Sequence, residues 1–262
     1  MGRLAVEIPA ADRVYQYTYD SLNRLTQINT KAGGIQKNRY DGEGLRAELE
    51  ENGRLVRFLF HNGEVVLEEP TEGAVTRYIR GYDLISSNSA AAKTYYHYTS
   101  DNLGSITHIT DEDGNICNQY EYDAFGNFAT KEETIQNRFC YTGEQYDPIT
   151  SQYYLRARFY NPVIGRFLNE DTYYGDGLNL YAYCHNNPVN FVDPSGHGSK
   201  PKPIKSNDPD VLDVLNRTTK NNTIPTGKDF VTWFDNLSDE DFSILFNDKV
   251  AGDVIGSSII FF

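Results

Sequence analysis

The stretch YHYTSDNLGSITHITDEDGNICNQYEYDAFG, residues 96–126, decides the fold. Three turn signals punctuate it at even spacing: Asp101-Asn102-Leu103-Gly104, Asp111-Glu112-Asp113-Gly114 and Asp123-Ala124-Phe125-Gly126. The runs between them are rich in β-branched and aromatic residues, which predicts strands at about 105 to 110 and about 115 to 122. One strand and turn in every ten to twelve or so residues is the spacing of a β-meander.

The pattern continues upstream. Tyr15, Tyr17 and Tyr19 share one face of a strand that ends at Asp20-Ser21-Leu22-Asn23, and Arg24-Leu25-Thr26-Gln27-Ile28 resumes an extended, half-apolar run. Tyr40-Asp41-Gly42-Glu43-Gly44-Leu45 repeats the theme 21 residues later. Asn52-Gly53 and Asn62-Gly63 are hairpin dipeptides that accept the positive φ of tight turns. A repeat of about 20 residues is a pair of strands, which cannot bury its own aromatic face, so neighbouring copies must stack. The expected fold is therefore mainly β, an extended antiparallel sheet with tyrosines on its inner face, where a ring packs and its hydroxyl still finds a partner. An ordinary tyrosine-rich β-sandwich is one alternative, and a sheet whose exposed tyrosines stack on sugars is another.

Composition narrows the function and marks a boundary. The 262 residues carry 37 acidic and 24 basic side chains, a net charge of -13. That balance repels phosphate backbones and anionic lipid at long range, so nucleic acid is not an expected partner of the chain's main part, nor is a membrane surface. No apolar run reaches the ~18 residues of a membrane span, and no hydrophobic leader follows Met1. Three scattered cysteines, Cys117, Cys140 and Cys184, provide neither a disulfide framework nor a metal site, and no cofactor is expected. All 20 tyrosines lie at or before Tyr183, and residues 1–197 hold -10 of the net charge. The tract Gly198-Ser199-Lys200-Pro201-Lys202-Pro203 at this change reads as a linker, because its prolines break both helix and central strand.

These residues resemble a known family. Tyr17-Thr18-Tyr19-Asp20-Ser21-Leu22-Asn23-Arg24-Leu25 and Tyr120-Glu121-Tyr122-Asp123-Ala124-Phe125-Gly126-Asn127 are similar to the YD repeats of Rhs proteins. The run from Tyr154-Leu155-Arg156-Ala157-Arg158-Phe159-Tyr160-Asn161-Pro162 through Gly165-Arg166-Phe167, Leu178-Asn179-Leu180-Tyr181-Ala182-Tyr183 and Asp193-Pro194-Ser195-Gly196 resembles the Rhs repeat-associated core. The resemblance covers roughly residues 12–197. It implies a polymorphic toxin of interbacterial competition, related to wall-associated proteins and to the C subunits of Tc insecticidal toxins. In such a protein a β-strand shell encloses a variable C-terminal toxin and a core plugs one end. The chain then divides into a YD-repeat shell fragment (1–130), the Rhs core (131–197), a linker (198–207) and a helical C-terminal toxin segment (208–262). Expected partners are the remainder of a longer shell, its cargo and an immunity protein, with secretion or surface display as part of a longer protein.

The resemblance also implies aspartic protease-like self-cleavage at the end of the core. Two carboxyls divide the work, one activating water and the other donating a proton, because two in one site do not ionise together easily. By motif position these are Asp171 and Asp193, with Arg166 as the family's associated arginine and His197-Gly198 as the scissile bond. Two departures stand out: Asp171 precedes Thr172 where the family often has proline, and His197 stands where leucine is usual. The second departure implies cleavage that is slowed, absent or shifted. Glu170 and Asp176 are neighbouring carboxylates. The noncatalytic alternative makes Asp193-Pro194 a turn in which the aspartate caps backbone N–H groups, and Arg166 an ordinary ion-pair partner. Cys184 beside His185 reads as an inert buried cysteine, since neighbours on an extended strand point to opposite faces.

Past the linker the pattern is helical. Asp208-Pro209-Asp210 starts a helix carrying Val211, Leu212, Val214 and Leu215. Thr226-Gly227-Lys228-Asp229 opens a second with Phe230, Trp233 and Phe234, and Ser238-Asp239-Glu240-Asp241 caps a third with Phe242, Leu245 and Phe246. Residues 198–262 contain no His, Cys or Tyr and a single arginine, Arg217, so the segment is expected to be an incomplete toxin.

Overall fold

An aspartate at the end of a strand closes each of the tyrosine-bearing turns. In the computed structural model, which describes residues 15–81, 83–89, 94–173, 178–201, 209–219 and 236–238, the turns at Asp20, Asp41, Asp101, Asp111 and Asp123 share one geometry. The aspartate Oδ1 accepts the N–H groups of the second and fourth residues after it at 2.8 to 3.0 Å. Its own N–H donates to the carbonyl four residues on. The third residue after the aspartate is left-handed, which explains why it is Asn23 or a glycine. Hydrogen bonds from Asn115 and the turn amides hold the Asp111 carboxyl below its ordinary range. Strand register slips by one residue just before three of these turns, at Tyr19, Thr110 and Tyr122, and such bulges deepen the twist.

These turns join a twelve-stranded antiparallel meander in sequence order. It comprises β1 (Tyr15–Tyr19), β2 (Leu25–Thr30), β3 (Ile35–Arg39), β4 (Glu48–Glu51), β5 (Arg54–His61) and β6 (Glu64–Pro70). It continues through β7 (Thr76–Arg80), β8 (Leu84–Ser89), β9 (Thr94–Ser100), β10 (Ile106–Thr110), β11 (Ile116–Tyr122) and β12 (Phe128–Glu133). The strands expected around residues 105–110 and 115–122 are β10 and β11. A second sheet follows, from β13 (Gln145–Asp147), β14 (Gln152–Leu155), β15 (Arg158–Asn161) and β16 (Arg166–Phe167). β14 and β15 are buried at every position. A two-residue ribbon pairs β17 (Phe191–Val192) with β18 (Lys200–Pro201), and α1 (Pro209–Thr218) comes next.

Aromatic side chains of the second sheet and of the turn leading into it grip the meander. Tyr141, Tyr153 and Tyr160 donate their phenol protons to the Ala124, Gly126 and Phe125 carbonyls, so three buried hydroxyls seat the Asp123 turn at 2.7 to 2.8 Å. Gly126 has φ +90, and a Cβ there would lie 2.5 Å from the Tyr141 ring, so only glycine fits. Tyr154 and Phe159 pack with Tyr17, Leu25 and Ile28 at the other end of the meander. Tyrosines on an inner face are thus borne out.

Buried arginines make the remaining ties. Arg46 is fully buried, lies over the Tyr154 ring, pairs with Asp147 on β13 and donates to Gln145. Gln36 also donates to Asp147, at 2.7 Å. In β3 the inward residues are Gln36 and Asn38, whereas Ile35 is exposed, so a polar network takes the place of apolar packing. Arg138 likewise reaches Glu51 and Glu68 at 2.6 and 3.1 Å.

One reading of the sequence is corrected, and one tract gains a pairing. Cys184, His185 and Asn186 form a left-handed turn with φ of 48, 51 and 61, not an extended strand. Lys200–Pro201, inside the tract read as linker, pairs with Phe191–Val192; a two-stranded ribbon leaves each strand an open edge, where a proline lacking N–H is tolerated. α1 coincides with the helix expected after Asp208, and Val214 is buried. The helices expected from Thr226 and Ser238 fall outside the described residues, apart from 236–238.

Arg46→Ala leaves Asp147 buried and unpaired, so urea denaturation should register a loss of about 3–5 kcal/mol. Arg24→Ala, which removes the solvent-accessible pair with Asp20, should cost less than about 1 kcal/mol. Equal costs would contradict the assignment of the buried pair as a tie between the sheets.

Candidate functional site

β15 begins with a charged residue facing the interior. Arg158 is buried, its guanidinium lies 3.6 Å from the Phe167 ring centroid, and its Nη1 donates to the Leu180 carbonyl at 2.9 Å. Its Nε donates to the Gly196 carbonyl. Nη2 stands 2.7 Å from Asp171 Oδ2 and 3.6 Å from Asp193 Oδ2. One arginine nitrogen therefore faces both candidate carboxylates, which are themselves buried.

Asp171 follows β16, anchored by its N–H to the Leu180 carbonyl at 3.1 Å. Its Oδ1 accepts the Tyr173 N–H at 2.9 Å and lies 2.8 Å from His197 Nδ1. Asp193 directly follows β17. Its Oδ1 accepts the N–H groups of Ser195, Gly196, His197 and Gly198 at 2.9 to 3.2 Å, and the Ser195 hydroxyl at 3.2 Å. Its Oδ2 is buried and, among the described residues, has no hydrogen-bond donor. The nitrogen of the expected scissile bond, Gly198 N, thus rests on Asp193, while the side chain of the preceding residue rests on Asp171.

The loop is pressed against β14 and β15. Gly196 has φ +72, and a Cβ there would lie 2.2 Å from the Leu155 carbonyl oxygen, so no side chain fits. Arg156 Nη1 donates to the Pro194 carbonyl at 2.6 Å and to both Glu144 oxygens at 2.8 Å, while its Nε holds the Gly63 carbonyl. Burial pushes the Glu144 carboxyl up to about 7, with Arg156 pulling the other way and Glu64 adding to the rise.

The structure brings together Asp171, Asp193, His197 and Gly198. Arg166 is placed elsewhere: it lies on β16, its backbone bridged to Ala182, and among the described residues its side chain has no ion pair with either aspartate. Arg158 occupies the position expected of Arg166. The available signal was its setting in the buried run Arg158-Phe159-Tyr160, where a charge needs an acidic partner. Glu170 accepts the Tyr181 hydroxyl at 3.2 Å, and Asp176 lies outside the described residues. Cys140 and Cys184 are buried, and burial pushes the Cys140 thiol up to about 12, which suits an inert residue. Among the described residues no cluster of His, Cys, Asp and Glu could hold a metal.

A repeat-built β-shell that ends in an arginine-bridged pair of aspartates is the class that fold and site define. The chain belongs to the Teneurin YD-shell family, whose model matches residues 40–189. It is 36% identical over 203 residues to the tRNA nuclease WapA of Bacillus subtilis (strain 168), covering 71% of this chain and 9% of WapA. It is 28% identical over 239 residues to the double-stranded DNA deaminase toxin A of Burkholderia cenocepacia (strain H111), covering 74% of this chain and 16% of that protein. The chain thus spans a small part of these relatives' length. The TcdB2-TccC3-Cdc42 structure shares the fold with a TM-score of 0.60 at 21% identity, over 74% of this chain and 10% of that one. The Photorhabdus luminescens Tc holotoxin pore does so with a TM-score of 0.57 at 20% identity, over 78% of this chain and 11% of that one. The chain is an Rhs-type, YD-repeat protein with toxin relatives, as the resemblance implied.

Glu144 makes stability depend on pH. Its carboxyl titrates at about 7 in the fold, above its unfolded value, so the folded state holds the extra proton and stability falls as pH rises through about 7. Urea midpoints at about pH 5.5 and about pH 8.5 should show this fall, and Glu144→Gln should reduce it. An unchanged slope in the variant would contradict the assignment.

Proposed function

We propose that the chain is the C-terminal part of a toxin shell that cuts itself at His197-Gly198 and frees the segment beyond. In this reading residues 1–130 are shell, 131–197 the core, 198–207 the connection and 208–262 the toxin segment. The observation that carries it is the arginine-bridged pair of buried aspartates with the Gly198 nitrogen 3.2 Å from Asp193. Hydrolysis adds the water oxygen to the His197 carbonyl carbon. One carboxylate takes a proton from that water, the other carboxyl gives its proton to the Gly198 nitrogen, and the C–N bond breaks. The products are a His197 carboxylic acid and a Gly198 amine. Asp193 is the group beside the leaving nitrogen, Asp171 is its partner, and Arg158 supplies positive charge to both. The proposal includes a role in interbacterial competition, export within a longer chain and neutralisation by an immunity protein; similarity to a tRNA nuclease and to a DNA deaminase toxin supports the toxin part of it.

One observation favours a noncatalytic reading, in which the core is kept as structure in a surface interaction protein. Asp193 Oδ1 gathers four backbone N–H groups, which is the work of a turn cap.

Intact mass of the purified full chain separates the two. Self-cleavage yields a break after His197, and Asp193→Asn leaves the whole 29.8 kDa chain. A wild-type chain that stays whole through prolonged incubation contradicts the proposal.

A further inference from the structure

We propose that His197 is a latch on this site: by occupying Asp171, the side chain before the scissile bond sets how fast the chain cuts itself. The inference rests on the self-cleavage reading and concerns its rate. Among the described residues Asp171 has three donors around it: Arg158 at Oδ2, and the Tyr173 N–H and His197 Nδ1 at Oδ1. A carboxylate facing a guanidinium and a backbone N–H is an acceptor, so the imidazole donates from Nδ1. With both oxygens engaged, Asp171 has little capacity left to orient or deprotonate a water. Asp193 differs, because its Oδ2 is buried and has no hydrogen-bond donor among the described residues.

The latch is built from the substrate itself. His197 N–H is held by Asp193 Oδ1 and by Ser195 Oγ, both at 3.2 Å, while the ring reaches across to Asp171. The backbone of this residue is thus presented to one aspartate while its side chain blocks the other. The ring is half-exposed, so it can swing out without disturbing the packed core. Water reaches Asp171 Oδ1 only after that motion.

The test follows the full chain by intact mass over time as wild type, His197→Leu, His197→Asn and Asp193→Asn. Leucine fills the space without a donor, whereas the asparagine amide nitrogen sits where histidine Nδ1 sits and keeps the bond to Asp171. Losing a charge-assisted hydrogen bond in the resting state should speed His197→Leu about tenfold or more, with His197→Asn close to wild type. Equal rates in wild type and His197→Leu, or a slower leucine variant, overturn the latch and leave self-cleavage standing. No cleavage in any of the first three overturns self-cleavage and the latch with it. A cooperative urea transition in each variant confirms that it is folded.

Discussion

A charge can be buried in a β-protein only beside its opposite, and this constraint organises the molecule. Arg46, Arg138, Arg156 and Arg158 are each mostly buried and each face carboxylates. Arg46 reaches from the β3–β4 connection to Asp147, Arg138 reaches back to Glu51 and Glu68, and Arg156 reaches to Glu64 as well as Glu144. Each of these three joins the second sheet or its lead-in to the meander. Such pairs add little net stability against an apolar core, but a misdocked sheet would leave several charges buried alone. They therefore select one arrangement, which the three phenols on the Asp123 turn reinforce.

The site follows from that docking. Arg156 and Arg158 lie at the β14–β15 hairpin, so Arg156 ties the loop at Pro194 to the meander while Arg158 faces the two aspartates. Gly196 lies flat against the same hairpin, where no side chain fits. Pairing of Lys200–Pro201 with Phe191–Val192 holds the chain just beyond Gly198 against the core.

Much of this was legible because the repeat encodes its own geometry. An aspartate with a left-handed residue three positions on specifies a turn without tertiary information, and the spacing of Asp101, Asp111 and Asp123 gave the meander. Motif position points to Asp171, Asp193 and Arg166, but motif order does not say which way a side chain faces, and it is Arg158 on β15 that lies beside the two aspartates. β3 was opaque for a related reason: Gln36 and Asn38 are inward because Arg46 and Asp147 need polar company, a demand set by residues distant in sequence. The left-handed turn at Cys184, His185 and Asn186 contains no glycine, and only His185 and Asn186 are of types enriched in that region.

Buried ion pairs and phenols fuse meander and second sheet into one cooperative body that holds the site. Native-state hydrogen exchange read by mass spectrometry reports on that coupling. Amides of β10–β12 and of β13–β16 should open together, with one free energy and one urea dependence. Independent opening of residues 145–167 at markedly lower free energy, with the meander still protected, would contradict it.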